Sequence, residues 1–436
     1  MAGKPPSYLI ELRVRLTKFQ IKKLNKQVAH DHKVKTEYIP HITLFGPFTL
    51  KHGYNEHEMK SEVEKLVSNY ELIPFLIYGF ERRTGMHGEV IAYHIVPGKQ
   101  LTELKKLFIK SFYAHVNSKG IADGDFLKNW FHITMVNGLT KFKVDQIWDH
   151  VTVDAAYENS DFEQETAVNQ VVQMMKNFFS EHFSFLKKKE LKKIYPLFID
   201  EDVFRITITK GKKILAEYDL LQKKWLSRNQ ALSSVEWDNS LRYYRRKSGF
   251  ELTKPDYKQG EIFIIGDTHF GHHKIIEYCA RPFNPDNVPE MDMVLLNNWN
   301  FTVSPGDKVI FLGDLKYGYK SKKPQYYLDN LNGNIHFVKG NHDDELLISG
   351  MRETFELTYK DLKFLFIHDP SQVDPNYEGW IIHGHVHNNN LQAYPFINFA
   401  KKTVNVGVEV IGYKPVPLSI IYDLIISRSE DMTVLR

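Results

Sequence analysis

Seven residues carrying hard oxygen or imidazole donors recur along the C-terminal half of this chain: Asp267, His269, Asp314, Asn341, His368, His385 and His387. They fall in short groups, Asp267-Thr268-His269, Gly313-Asp314, Gly340-Asn341-His342-Asp343, His368, and Gly384-His385-Val386-His387. A pair of divalent cations requires carboxylate oxygens, imidazoles and one ligand shared between the ions, usually an aspartate, and this set supplies each. The N-terminal half carries two His-x-Thr tripeptides, His41-Ile42-Thr43 and His132-Ile133-Thr134. Side chains alternate faces along a strand, so His41 shares a face with Thr43 and His132 with Thr134. Where two such strands face each other, one imidazole can take a proton from an attacking oxygen while the other gives one to a leaving oxygen. Each transfer is worth roughly 10² to 10⁴ in rate. The threonine hydroxyls can hold non-bridging phosphate oxygens where charge develops, without a metal.

The elements that must position these groups form two blocks. In the first, Tyr8 to Leu16 alternates as a half-buried strand, Phe19 to His30 has helical spacing, and His41 to Phe48 is a strand. Leu72 to Phe80 and Val90 to Val96 read as a hairpin, Leu101 to Phe112 as a helix, and the segment around His132 as a strand. Strand, helix and His-x-Thr strand therefore occur twice, a weak internal duplication. A long helix is expected over Glu163 to Leu186, and Val203 to Thr209 with Ile214 to Leu220 as a further hairpin. From Gln222 to Gly260 the pattern is polar, with a connecting helix at Ser233 to Tyr244, and a linker is placed at 223–257. In the second block the runs Ile262 to Ile265, Val309 to Leu312, Ile335 to Val338 and Leu365 to Ile367 are continuously apolar, as strands covered on both faces are. Polar residues follow each run, the place where ligands gather in a layered α/β domain.

Composition bounds the setting. A chain of 436 residues exceeds the usual single core, so two domains are expected. Its 57 basic and 53 acidic residues are too evenly balanced for bulk charge to hold nucleic acid, so a polyanion must be bound by local patches. The single cysteine, Cys279, excludes an internal disulfide and reads as a packing residue of a reducing compartment. With no signal-like start and no run of about 18 apolar residues, a cytoplasmic protein with no membrane contact is expected. The run Arg242 to Lys247 mixes charge with Tyr243 and Tyr244 as single-strand RNA grooves do, against a simpler reading as solvated surface. Lys187, Lys188, Lys189, Lys192 and Lys193 read as a soluble helix end. His272, His273 and His383 border the donor groups and read as supporting or substrate-contacting residues.

Two family resemblances follow from these motifs. Residues 1–222, through His41-Ile42-Thr43-Leu44 and His132-Ile133-Thr134-Met135, resemble the two-histidine (2H) phosphoesterases, the superfamily of 2′-5′ RNA ligase-like proteins and 2′,3′-cyclic nucleotide phosphodiesterases. Residues 258–436 resemble the calcineurin-like metallophosphoesterases, whose five sequence blocks are all present in order. Together they imply an α+β two-lobed 2H domain followed by an α/β domain of layered sheets with flanking helices. By the second resemblance Asp267, His269, Asp314 and His387 would hold one metal, and Asp314, Asn341, His368 and His385 the other. His342 would contact phosphate or protonate the leaving group, and a water between the ions would be the nucleophile. Mn²⁺ is the expected ion, with Fe, Zn²⁺ or Ni²⁺ compatible, and no cofactor is expected in the first domain. One departure is Asp369-Pro370 after His368, where many members carry an uncharged residue. The implied substrate is RNA or a nucleotide bearing a 2′,3′-cyclic phosphate or a 2′-5′ linkage, with no protein partner evident. The fusion implies ring opening at His41 and His132, then dephosphorylation at the metals. The alternatives are two independent phosphodiesterases or a first domain that only delivers RNA; ligation is disfavoured because no lysine-centred nucleotidyl motif is present.

Overall fold

The computed structural model describes residues 5–85, 88–117, 130–152, 198–255, 260–319, 321–343, 348 and 350–427. The helix expected over Glu163 to Leu186 and the lysine run after it lie outside the described residues.

Two antiparallel sheets build the N-terminal part. The first has the order β10-β9-β8-β1-β2-β5 and comprises β1 (Tyr8–Arg13), β2 (His41–Leu50), β5 (Val116–Asn117), β8 (Arg205–Lys210), β9 (Lys213–Asp219) and β10 (Lys224–Ser227). The second, β6-β4-β3-β7, comprises β3 (Ile73–Gly85), β4 (Gly88–Pro97), β6 (His132–Leu139) and β7 (Phe198–Val203). Helices α1 (Lys18–His32), α2 (Glu56–Val67), α3 (Lys99–Phe112) and α4 (Lys141–Thr152) accompany them. The repeated order is visible in the pairing, since β1 pairs antiparallel with β2 and β4 with β6. Each repeat's helix serves the other repeat's sheet. Phe112 of α3 packs on Phe45 of β2 at 5.6 Å, and Tyr93 of β4 donates to Asn25 of α1 at 2.8 Å. One core joins the two sheets, with Ile10, Leu12, Ile42, Leu44, Ile91 and Ile133 all buried in it. β1 stops at Arg13, short of the expected Leu16, for a local reason. The N–H groups of Arg15, Leu16 and Thr17 turn away from the ladder and donate to the buried Glu201 carboxylate at 3.1, 3.1 and 2.9 Å.

Over its described residues, 223–255, the stretch read as a polar linker is built into the fold. β10 extends the first sheet, and α5 (Arg228–Ala231) and α6 (Ser234–Lys247) follow, with Leu241 and Tyr244 packed on Phe204. The Arg242 to Lys247 run is divided: Arg242, Tyr243, Arg246 and Lys247 are exposed, as the simpler reading expects, whereas Tyr244 and Arg245 are buried. Arg245 is 1% exposed, donating to Glu290 at 2.7 Å, to Glu251 at 3.1 Å and to the Pro282 carbonyl at 2.9 Å. Arg242 donates to the same Glu290, and Lys247 pairs with Glu71. These charges staple α6 to both parts of the chain.

The C-terminal part is layered. A four-stranded sheet, β13-β12-β11-β19, contains β11 (Ile262–Ile265), β12 (Lys308–Phe311), β13 (Asn334–Phe337) and β19 (Val416–Pro417). A five-stranded sheet, β14-β15-β16-β18-β17, contains β14 (Thr354–Tyr359), β15 (Leu362–Ile367), β16 (Trp380–His383), β17 (Ile397–Asn398) and β18 (Thr403–Asn405). Side chains of β11 alternate between two interiors, which is why the strand is apolar throughout. Phe263 and Ile265 pack with α7 (His273–Tyr278) and α8 (Val288–Thr302), whereas Ile264 packs with the second sheet and α10 (Leu418–Ile426). The short α9 (Pro324–Leu328) lies between β12 and β13 in sequence, and Tyr327 joins the helix-side core. At the junction of the two parts, Phe19 of α1 packs against Tyr278 of α7 with ring centroids 5.4 Å apart, and Gln20 donates to the Tyr278 carbonyl at 3.1 Å. Among the described residues no helix is long and apolar enough to cross a membrane.

Candidate active sites

The two His-x-Thr segments begin β2 and β6. Ile42 and Leu44, like Ile133 and Met135, point into the core, so His41, Thr43, His132 and Thr134 occupy the opposite, half-buried faces. The strands meet where the sheets adjoin, since the Glu37 N–H, just ahead of β2, donates to the Met135 carbonyl at 2.8 Å. The two imidazoles have different surroundings. His41 directs Nδ1 to the Ile39 carbonyl at 2.8 Å, leaving Nε2 3.9 Å from the buried Glu11 carboxylate. His132 stacks on Trp130 with ring centroids 3.6 Å apart, and its Nδ1 is buried without a hydrogen-bond partner. Burial pulls the His132 imidazole down to about 4, and the nearby charges of Lys105, His41 and Arg83 push the same way. Glu11 and Arg13 lie beside Thr43 and His41 in register and are joined at 2.6 Å. Neither was singled out from sequence, although the alternation Glu11, Arg13, Arg15 within an apolar strand marks one polar face.

In the C-terminal part all seven donor residues converge. Asp267 follows β11, Asp314 follows β12, Asn341 follows β13, His368 follows β15, and His385 and His387 follow β16. Oxygen or nitrogen atoms of Asp267, His269 and His387 lie within 4.8 Å of one another, as do those of Asp267, Asp314 and His368. A tighter group is formed by Asn341 Oδ1, His368 Nε2 and His385 Nδ1, separated by 3.0, 2.9 and 3.2 Å. These are the spacings of neighbouring corners of a coordination sphere with bonds of about 2.1 Å. His368 Nδ1 donates to the Leu312 carbonyl at 2.7 Å, so in the neutral ring Nε2 is a lone pair. It faces the Asn341 carbonyl oxygen and, at 3.5 Å, the Asp314 carboxylate. Electron pairs converging in this way suit a bound cation.

Three further observations fit the donor set to divalent metal. Both ring nitrogens of the buried His269 lack a hydrogen-bond partner, although Nε2 is 3.3 Å from Asp314. Asp267, His269, Asp314, His385 and His387 all have positive φ, between 48° and 66°. Non-glycine residues adopt that region at a cost of roughly 1–3 kcal/mol each, tolerated where function fixes the geometry. Glycine is also required beside the carboxylates, because a Cβ at Gly384 would stand 2.6 Å from Asp267 Oδ2.

Electrostatics follow from burial and pairing. Burial lowers the His269 imidazole to about 3 and raises Asp267 above the ordinary carboxylate range. For Asp314, burial acts upward but is outweighed by His269 and His368, which hold it well below that range. Asp343, the last residue of the Gly340 group, fixes the Asp314 turn by accepting the N–H groups of Asp314, Gly340 and Leu315 at 2.7, 2.9 and 3.1 Å. Glu409 was unmarked in the sequence. It accepts from His387 Nδ1 at 3.1 Å and from Arg281 at 2.7 Å, and these two cations overcome burial to hold it below its usual range. Arg281 in turn donates to the Asp267 and Thr268 carbonyls, both at 2.8 Å. His342 is exposed at the rim, its N–H bonded to Asp314 Oδ1 at 2.9 Å. His272 and His383 are buried, His273 is half-buried, and Cys279 is a buried neighbour of His387 and Glu409. Asp369, the departure from the family pattern, caps the turn after His368 and lies 3.9 Å from His385 Nε2.

Comparison with known proteins agrees with this geometry. Residues 260–417 match the calcineurin-like phosphoesterase family. An uncharacterized protein of Methanocaldococcus jannaschii, MJ1445, is 49% identical over 168 residues, which is 38% of this chain and 91% of that protein. Among solved structures, the protein of unknown function AQ665 from Aquifex aeolicus is 25% identical, covering 39% of this chain and all of that one at a TM-score of 0.28. The E. coli phosphoesterase Yfce is 15% identical over 36% of this chain and 82% of its own, with a TM-score of 0.21. The assignment rests on the family match. The chain belongs, through its C-terminal domain, to the calcineurin-like phosphoesterases. It is a hydrolase acting on phosphoric ester bonds, of a family that uses divalent metals.

Proposed function

We propose that the chain is a bifunctional phosphoesterase for RNA or nucleotide ends, with a 2H domain over 1–222 and a metallophosphoesterase domain over 258–436. The observation that carries this reading is the meeting of the two His-x-Thr strands, each with its imidazole and hydroxyl on the half-buried face. The unlike environments support distinct roles. His132, desolvated and neutral, takes the proton of a water attacking the 2′,3′-cyclic phosphorus. His41, beside the Glu11 carboxylate, gives a proton to the ribose oxygen as its bond to phosphorus breaks. Thr43 and Thr134 hold the non-bridging oxygens.

The resulting phosphomonoester is the substrate of the second site. Asp267, His269, Asp314 and His387 would hold one divalent ion, and Asp314, Asn341, His368 and His385 the other, Mn²⁺ being the favoured species ahead of Fe, Zn²⁺ or Ni²⁺. Bound there, the ions supply Lewis-acid polarisation of phosphoryl oxygens and a water acidic enough to ionise near neutral pH. Exposed at the rim, His342 is placed to contact the phosphate and protonate the departing oxygen.

Turnover of an oligonucleotide ending in 2′,3′-cyclic phosphate tests the sequence of steps. Protein treated with EDTA should accumulate the ring-opened monoester, and Mn²⁺-loaded protein should release inorganic phosphate. His41→Ala should abolish both. Phosphate release untouched by His41→Ala, or no ring opening in EDTA, removes the two-step reading and leaves a metallophosphoesterase served by an RNA-binding module.

A further inference from the structure

A run of aromatic rings leads outward from the metal-donor cluster toward the first domain. The Tyr317 ring lies 4.4 Å from that of His342 and 4.7 Å from that of His272. Tyr278 meets His272 edge-on at 6.4 Å, and Phe19 of α1 meets Tyr278 at 5.4 Å. Tyr317 and Tyr278 are 43% and 40% exposed, although each is held by a neighbouring ring. His272 is only 8% exposed, yet its Nδ1 has no hydrogen-bond partner. Past Phe19, Lys18 is exposed, and Lys22 lies 3.9 Å over the ring of Tyr38, which is 74% exposed and three residues ahead of His41.

We propose that this strip is a binding site for single-stranded nucleic acid, RNA under the function above, running between the two catalytic centres. Bases stack on Tyr317 and Tyr278, whose rings pack against the buried His272, and backbone phosphates pass Lys18 and Lys22. Exposed rings flanked by cations suit a single strand because every base presents a π-face and every linkage a charge. A duplex hides those faces. The strip would hold the body of the strand while its terminal phosphate sits among the donors beside His342.

The proposal rests on the phosphoester reading of the donor cluster, and binding can be measured apart from it. Fluorescence anisotropy of a labelled single-stranded RNA of about ten nucleotides, with chelator-treated full-length protein, reads affinity without turnover. Tyr317→Ala and Tyr278→Ala should each weaken binding about 5- to 150-fold, the equivalent of ~1–3 kcal/mol per stacked base. Tyr317→Phe should stay within about threefold of wild type because the π-face is kept. Unchanged affinity in both alanine variants overturns the proposal, as does equal loss in Tyr317→Phe and Tyr317→Ala, or equal affinity for duplex RNA. Hydrolysis of bis(p-nitrophenyl) phosphate by the Mn²⁺-loaded wild type reports on the enzyme reading alone. Failure there beside weakened RNA binding in the variants keeps the strip, whereas turnover beside unweakened binding keeps only the enzyme.

Discussion

Replacing Glu409 by glutamine tests how the metal-donor cluster is held. The carboxylate is 1% exposed and takes two bonds from Arg281, at 2.7 and 2.8 Å, and contacts from His387 Nδ1 at 3.1 and 3.2 Å. It thereby orients the His387 ring through Nδ1, and through Arg281 it fixes the backbone carbonyls of Asp267 and Thr268. Carboxylates that orient a metal-binding histidine are worth about 10- to 100-fold in metal affinity, roughly 1.4–2.7 kcal/mol. Removing the charge also leaves Arg281, 2% exposed, without its counter-ion. Breaking a buried pair in this way costs about 3–5 kcal/mol, and the amide oxygen that remains places Glu409→Gln at the lower end. Since the folded state holds Glu409 below its usual range, its stabilisation is present above the unfolded value of about 4.3 and is lost as the pH falls below it. The loss in Glu409→Gln should therefore be largest near pH 7 and shrink toward pH 3. Isothermal titration of Mn²⁺ into the chelator-stripped protein, with thermal unfolding of the same samples, measures both effects. Affinity within about threefold of wild type together with an unshifted melting temperature would refute the reasoning.

Because burial holds His132 near about 4, it stays a neutral base at higher pH. On its acid limb, ring opening by chelated protein should lose rate as the pH falls through that value, and a pH–rate profile with its acid limb near the ordinary histidine value of about 6.5 contradicts this. Gly384→Ala would press a methyl group against Asp267 Oδ2 at 2.6 Å, so Mn²⁺ binding should weaken at least about tenfold; titration showing unaltered affinity counts against the close approach. Arg245→Met should cost about 3 kcal/mol in urea unfolding, the low end for a buried pair because Arg242 still reaches Glu290. A loss below about 1 kcal/mol would show that the α6 staple is dispensable.

The donor residues of the metal cluster were legible in the chain because the chemistry restricts them to a few residue types, set just after apolar runs whose strand character follows from their composition. The His-x-Thr faces were legible for a similar reason, since strand alternation fixes which neighbours share a side. Helix α2 could also have been read, as Asn55 and Glu58 form its capping box, but that signal was passed over. The partners of those groups lay beyond sequence reasoning. Glu409 and Arg281 act on residues distant along the chain, and nothing in their local sequence distinguishes a buried orienting charge from a solvated one. Within the Arg242 to Lys247 run Arg245 shows the same limit: it reads as surface like its neighbours until α6 brings it against Glu290. Types and periodicities set the identity of the chemistry and the strands that carry it. Tertiary structure alone decided which carboxylates hold which imidazoles, and where rings and lysines line up, because those contacts depend on how sheets and helices cross in space.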